Sequence, residues 1–364
     1  MSTIQSAERI SFALRSLYRS YGYLRYKMNK FEEYDFYVRN KDFLVSDSVI
    51  TFTDTNGRLM ALKPDVTLSI VKNTRDVPGC VQKVYYNENV YRVSGSTHSF
   101  REIVQLGLEC IGDIDDYSIF EVVSLAAQSL QSISEESVLN LSHLGVFAEV
   151  LKDVESEMRQ KIMSCVRDKN AHELQRICDG AGLSRQKQQL LALLECYGEP
   201  DAVLPKVEAL LGNLPAISQL KRLTQAFADT PLSPMLRIDF SVVSDINYYN
   251  GVLFKGFVEG VPQSVLSGGQ YDRLMRKMGR KAGAIGFAVY TDLLEQMTPA
   301  EEVYDVDTVL LYDGNTDIAQ VSAAVTAIQK DGKRVIAQRS MPEKLRFRHL
   351  ARLVNGEVTA DEDA

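Results

Sequence analysis

Within YRVSGSTHSFREIVQLGLECIG, residues Tyr91 to Gly112, apolar and polar side chains alternate as they do along a β-strand with two unlike faces. Val104, Leu106, Leu108 and Cys110 fall on one side, while Gln105, Gly107 and Glu109 fall on the other. A glycine between two long hydrogen-bonding side chains leaves a hollow. Gln105 can donate and accept there, and Glu109 can hold a cation such as an amino group, so the polar face suits a small polar ligand. The same alternation also describes a half-buried strand whose polar face meets water.

Outward from this strand, short strands are expected over Val49–Thr53 and Arg58–Leu62, and a longer one over Val81–Val93. Ile10, Leu14, Leu17, Tyr18 and Tyr21 give an amphipathic helix near residues 4–21. Lys63, Pro64 and Asp65 open another helix, because proline suits a first turn and an acidic side chain there meets free N–H groups. Taken alone, Asp65 is a residue that starts a helix. From about Asp115 to Asp229 the spacing of apolar residues turns helical, as in Phe147, Val150 and Leu151, and a helical insertion over about 115–230 is expected. Strand character resumes at Met235–Val243 and Val252–Val258, with Asn250-Gly251 suited to a tight hairpin turn between them. Strands on both sides of the insertion then build one antiparallel sheet in a core spanning 1–300. Residues 304–364 form a small α/β unit: strand Val306–Tyr312, helix Ile318–Gln329, strand Arg334–Gln338 and helix Glu343–Leu353, with a frayed acidic tail from Thr359 to Ala364.

Composition narrows the class. With 364 residues, 45% of them hydrophobic and 24% charged, the chain is long enough for two or three domains with cores of their own. Charges interrupt the N-terminal apolar positions and no uninterrupted apolar stretch of signal or membrane-spanning length occurs, so a cytoplasmic location and no membrane contact are expected. Cys80, Cys110, Cys165, Cys178 and Cys196 are odd in number and never form a C-x-x-C pair, which suggests reduced packing residues and no metal site. A formal net charge of −7 argues against a broad phosphate-binding surface.

TFTDTNGRLMALKPDVT (51–67), VYYNENVYR (84–92), FREIVQLGLE (100–109), the pair Tyr248-Tyr249, LSGGQYD (266–272) and AGAIGFAVYTDLL (282–294) follow one another in an order that resembles the catalytic core of histidyl-tRNA synthetase and its paralogues. The resemblance covers roughly residues 1–300. It implies an α+β class II aminoacyl-tRNA synthetase-like fold, an antiparallel sheet flanked by helices, and a dimer. The first motif departs from the family's pattern, since Met28 and Asn29 stand where a proline is expected. The resemblance further implies that Asp65, Thr67, Gln105 and Glu109 hold histidine, with Lys63-Pro64 in place of an Arg-Pro pair and Asp65 one methylene shorter than the usual glutamate. Tyr248 and Tyr249 match tyrosines that close over the imidazole, although cross-strand aromatic packing is the plain alternative. Arg92 matches the arginine that holds the ATP phosphate. Gly107, Gly268 and Gly269 supply pocket backbone, the last two either by letting a ligand approach or simply by forming a turn.

Departures from the pattern point to the function. Ser244, in VVSDINYY, stands where the synthetase carries an arginine that contacts the phosphate, and a neutral hydroxyl cannot stabilise charge developing on phosphoryl oxygens. Asp292, Leu293 and Leu294 stand where the third-motif arginine would fall. The loop VSGSTHSF has no basic residue except His98. Histidine-binding groups survive while adenylate chemistry is expected lost, so no catalytic residue and no cofactor are assigned. VDTVLLYDGNTDIAQ and GKRVIAQ resemble the start of the family's anticodon-binding domain, truncated here, and no tRNA partner is expected. The paralogue that fits is the regulatory subunit of ATP phosphoribosyltransferase, which implies a short-form catalytic subunit as partner and histidine as allosteric ligand. A paralogue with another aminoacylation-type activity and a working histidyl-tRNA synthetase are the alternatives.

Overall fold

The computed structural model describes residues 3–41, 49–93, 99–243, 248–297, 304–330 and 332–361. The chain divides into two compact units, residues 7–297, and residues 298–364 with residues 1–6. In the larger unit the order is α1 Thr3–Ser20, β1 Leu24–Arg25, β2 Phe31–Glu33, α2 Tyr34–Arg39, β3 Thr51–Thr53, β4 Leu59–Leu62, α3 Thr67–Asn73, β5 Gln82–Val93, β6 Phe100–Gly112 and α4 Asp116–Ile133. There follow β7 Ser137–His143, α5 Leu144–Val150, α6 Ser156–Arg167, α7 Ala171–Gly180, α8 Ser184–Glu195, β8 Tyr197–Gly198, α9 Pro200–Leu211, α10 Pro215–Ala226, β9 Leu236–Asp239, β10 Val252–Val258, β11 Leu266–Gln270, α11 Asp272–Lys277 and β12 Gly283–Tyr290. Among the described residues no helix is long and apolar enough to cross a membrane.

Nine strands join in the order β1-β5-β6-β12-β11-β10-β7-β9-β8. Pairing is antiparallel except for β1 with β5 and β7 with β9. Side chains in register line up across the sheet, and one row runs Leu108, Phe287, Gly268, Phe254, Leu141. Helices α1 and α4 cover this face. Tyr18 of α1 meets Phe287 edge-on, with ring centroids 5.9 Å apart, and its hydroxyl lies 3.0 Å from Ser129 Oγ of α4. Aromatic burial of this kind contributes most of the stability of such a layer. A small separate sheet, β2-β4-β3, carries the chain towards α3.

The expected helical insertion is bounded differently. Strand β7 lies inside it in sequence yet sits in the sheet between β10 and β9. Helices α5 to α10 therefore fill only the passage from β7 to β9, and their apolar residues, such as Leu174, Leu190 and Ile217, join the same core as the sheet. The expected hairpin does not form, because β9 and β10 are held apart by β7. Gly251 instead makes room for Gln270, whose Oε1 would lie 2.0 Å from a Cβ there and accepts from Val252 N at 2.9 Å. Among the cysteines, Cys80 is exposed, unlike the buried Cys110, Cys165 and Cys178.

The smaller unit holds β13 Val306–Tyr312, α12 Ile318–Gln329, β14 Val335–Gln338, β15 Phe347–Val354 and β16 Glu357–Asp361, in sheet order β14-β13-β15-β16. The helix expected over Glu343–Leu353 is largely strand β15. Its apolar residues fit either period, but Leu350 packs on one side of the sheet and Ala351 and Leu353 on the other, the alternation of a strand between two apolar layers. The expected frayed tail is paired as far as Asp361, since β16 supplies β15 with an antiparallel edge.

Gly268 tests the tightness of the main core. A Cβ there would lie 2.5 Å from Phe287 Cβ and 2.7 Å from Phe254 Cε2. Gly268→Ala is expected to destabilise the larger unit by about 1–3 kcal/mol through overpacking. Chemical denaturation should place its midpoint below that of the wild type, and an unchanged midpoint would refute this account of the glycine.

Candidate functional site

The face of the sheet opposite α1 and α4 carries a cavity of about 440 Å³. Asp65, Thr67, Arg92, Gln105, Glu109, Tyr248 and Tyr249 all line it, so the structure brings together seven residues singled out from four separated stretches of sequence. Gln105 and Glu109 are 4% and 2% exposed, which rules out a polar strand face open to water.

Glu109 lies at the centre. Its Oε1 accepts from Thr67 Oγ1 at 2.7 Å and its Oε2 from Tyr271 Oη at 2.6 Å. Burial pushes its pKa up to about 8 against these two hydrogen bonds, which favour the charged form, and the nearby Asp65 adds to the rise. Asp65 is also raised, chiefly by burial, with Leu68 N–H and Arg92 opposing. Its Oδ1 accepts from Leu68 N at 2.8 Å, so the residue that starts helix α3 is also a cavity wall. One carboxylate oxygen is thus committed to the helix. Arg92 is anchored by its Nε, which donates to Pro64 O at 3.1 Å. Lys63 is fully buried and pairs with Glu88 at 2.8 Å, bracing the segment from β4 into α3 and not lining the cavity.

The aromatic rings form the lid and sides. Tyr248 and Tyr249 stack at a tilt with centroids 4.6 Å apart, and Tyr248 lies 5.9 Å from Tyr271. Burial raises the phenols of Tyr86, Tyr248, Tyr249 and Tyr271 well above the ordinary tyrosine value. Their hydroxyls stay protonated and can donate to or accept from a ligand.

The three pocket glycines do something other than expected, and none of them lines the cavity. Gly107 stands opposite Tyr86 on β5, and a Cβ would lie 2.5 Å from the Tyr86 hydroxyl oxygen, so the hollow between Gln105 and Glu109 is filled by that ring. Gly269 gives space to Leu253 and Tyr249 in the same way. Gly268 faces the aromatic core. A fourth glycine, Gly286 on β12, went unremarked in the sequence: it pairs with Glu109, and a Cβ there would sit 1.7 Å from Glu109 Oε2. The AGAIGFAVY stretch held the signal, because an alternating strand with a glycine at one inward position leaves room for a large neighbour. Tyr86, Tyr271, Tyr290, Arg167 and Lys255 also line the cavity without having been assigned to it. Tyr86 and Tyr271 lie in motifs already quoted, whereas Arg167 ends α6 in the helical region, where nothing in the local pattern sets it apart. Ser244 and His98 lie outside the described residues, and Asp292 to Leu294 follow β12 in a short 3₁₀ turn.

A profile of the histidyl-tRNA synthetase family matches residues 2–294. The chain belongs to that family. An ATP phosphoribosyltransferase regulatory subunit from Oceanobacillus iheyensis is 25% identical over 314 residues, which cover 83% of this chain and 77% of the relative. Among solved structures, an ATP phosphoribosyltransferase regulatory subunit/histidyl-tRNA synthetase from Bacillus halodurans superposes with a TM-score of 0.76 at 23% identity, over 92% of this chain and 89% of that one. A chain of the ATP phosphoribosyl transferase (HisG:HisZ) complex from Thermotoga maritima does so with a TM-score of 0.63 at 19% identity, over 78% and 96%. These superpositions establish the class II synthetase-like α+β fold.

Glu109 makes the family fold sensitive to pH. Its carboxyl is protonated in the folded chain up to about 8, whereas in the unfolded chain it ionises in the ordinary glutamate range near 4.3. The unfolded state then binds fewer protons between those values, so this group's contribution to stability is full below the ordinary range and is lost as pH rises through about 8. Glu109→Gln should flatten that slope, and denaturation midpoints measured across the window would refute the assignment if wild type and variant ran parallel. Gly286→Ala is expected to displace the same carboxylate and break its hydrogen bonds to Thr67 and Tyr271 without removing any polar group, lowering the denaturation midpoint, and an unchanged midpoint would remove this account of the glycine.

Proposed function

We propose that this chain is the non-catalytic regulatory subunit of an ATP phosphoribosyltransferase and that the Glu109 cavity is its histidine sensor. The observation that carries the reading is a buried Glu109, bonded to Thr67 and Tyr271 and flanked by Asp65 and Gln105, inside a ring of tyrosines. Two acids and an amide suit an ammonium and an imidazole N–H, and stacked phenols suit the flat ring. The names of the relatives, regulatory subunits of ATP phosphoribosyltransferase and a chain of a HisG:HisZ complex, support a catalytic subunit as partner, and in this reading a short-form one makes the bond while this chain supports it. Histidine inhibits to the extent that it binds one arrangement of the assembly better than another. Loss of synthetase chemistry fits Asp292-Leu293-Leu294 and Ser244, which offer no cation where activation needs one. A cytoplasmic dimer within a hetero-oligomer is part of the same proposal. Leu24, 72% exposed on the edge strand β1, and Phe12, 67% exposed on α1, support self-association.

The test combines the purified short catalytic subunit of the same genome with this chain and adds histidine last. Activation followed by inhibition is expected, and in Glu109→Ala activation should persist while the inhibitory histidine concentration rises by about tenfold or more, the value of one buried charged hydrogen bond. Unchanged inhibition would remove the sensor assignment, and no effect on rate with no complex on a sizing column would remove the regulatory role. Family membership favours one second reading, a working synthetase, for which histidine-dependent exchange of pyrophosphate into ATP by this chain alone is the discriminating assay.

A further inference from the structure

The cavity has a second end whose chemistry is opposite to the first. In register across the sheet, Tyr86, Gly107, Ala288, Ser267 and Lys255 form one row on the cavity face. Gly107 is covered by the Tyr86 ring, while Ala288 and Ser267 line the cavity as a low floor, with Lys255 beyond them on β10. Three strand spacings separate β6 from β10, about 14 Å, so an amino acid seated against Gln105 and Glu109 does not reach the far wall. Arg167 of α6 and Ser264, ahead of β11, line the same region.

Lys255 makes no hydrogen bond or ion pair with the described residues. Among the described residues Asp239 is the acid that acts on it, and that carboxylate is already occupied: Oδ1 accepts from Ser241 N and Oγ at 2.8 and 2.6 Å, and Oδ2 from Asn140 Nδ2 at 3.2 Å and Lys169 Nζ at 3.4 Å. Burial, with Arg167 nearby, lowers the pKa of Lys255. Arg167 pairs with Asp168 next to it at 3.2 Å, with both side chains more than half exposed, a contact of little worth in water, and its Nη2 donates to Ser164 Oγ at 2.8 Å. Two cations therefore share one half-enclosed space with two serine hydroxyls, and among the described residues the acids they meet are Asp239, already committed to other donors, and Asp168, exposed to water. A tetrahedral oxyanion with several acceptor oxygens relieves the repulsion and gives the Lys255 ammonium acceptors.

We propose that the Lys255 end of the cavity is an anion subsite that takes a phosphate group, held by Lys255, Arg167, Ser264 and Ser267. It is distinct from the place of Arg92, which sits on β5 four strands from β10. Because Arg167 belongs to the helical region and Lys255 to the sheet, a phosphate held between them ties the two together. The inference rests on the reading of this cavity as a ligand site, while its ligand and residues differ from those of the histidine sensor.

The test titrates the full chain by calorimetry with inorganic pyrophosphate, with ATP and, separately, with histidine. Binding of pyrophosphate is expected, weakened by about tenfold or more in Lys255→Met and in Arg167→Gln, in line with the loss of a charged hydrogen bond, and retained in Lys255→Arg. Circular dichroism and the melting temperature confirm that the variants fold. Binding of ATP but not pyrophosphate, lost in the same variants, also supports the subsite and assigns the phosphate to a nucleotide. Absence of both at millimolar ligand, or binding indifferent to Lys255 and Arg167, overturns it. Histidine heat in the same wild-type protein separates the two readings: histidine bound without phosphate leaves the sensor standing and removes the subsite, and phosphate bound without histidine does the reverse.

Discussion

The cavity of the larger unit depends on how one carboxylate is housed in the middle of a sheet. Glu109 is flanked by the strands β5 and β12, and its oxygens are clasped from two sides by hydroxyls of α3 and of the segment after β11. Burying an ionisable group without such partners costs several kcal/mol. Here the hydroxyls offset part of that cost, and a missing side chain at Gly286 offsets the steric part. The result is a group poised between neutral and charged forms near physiological pH, whose state a cationic ligand can change.

Supporting that carboxylate fixes much else. Thr67 reaches it because α3 begins where Asp65 caps the first turn, and α3 begins there because the β4 segment is pinned by the buried Lys63–Glu88 pair. A buried ion pair of this kind is worth more for the geometry it imposes than for stability. Tyr271 reaches the other oxygen because Gly269 and Gln270 bring β11 tightly against its neighbours. On the far face, Phe254, Phe287 and Tyr18 close around Gly268, so the strands that carry the cavity cannot drift apart without opening the aromatic core.

Much of this was legible in the sequence, and the limits are physical. The alternation around Glu109, the Lys63-Pro64-Asp65 helix start and most strand and helix spans are local patterns, and local patterns survive into the fold. Strand β7 was hidden because its seven residues, SVLNLSH, give too short a pattern between helical segments, and only its place in the sheet reveals it. Asn250-Gly251 looked like a hairpin turn because the dipeptide favours one, but nothing local says that a third strand will come between. Leu350 and Leu353 fit a helix as well as a strand until the two faces they contact are known. Seven cavity residues that lie in the quoted motifs were picked out, while Arg167 and Lys255 were not, since a lone cation on a helix end or a strand carries no sign of the cavity it will meet. The glycines were noticed for the right property and assigned to the wrong neighbour: they make way for tyrosines and a carboxylate of the protein itself.

The passage from β7 to β9 has one more implication. Parallel neighbours cannot be joined by a tight turn, so a long connection here is an obligation of topology, and α5 to α10 are that connection. Once a connection must exist, lengthening it is cheap, since each doubling of a flexible loop adds only about 0.6 kcal/mol of closure entropy. Such a place in a fold is open to growth over evolutionary time. Helices added there need only cover one side of an existing core to become permanent, and one that reaches the cavity rim, as α6 does with Arg167, gives an old pocket new chemistry without altering a strand.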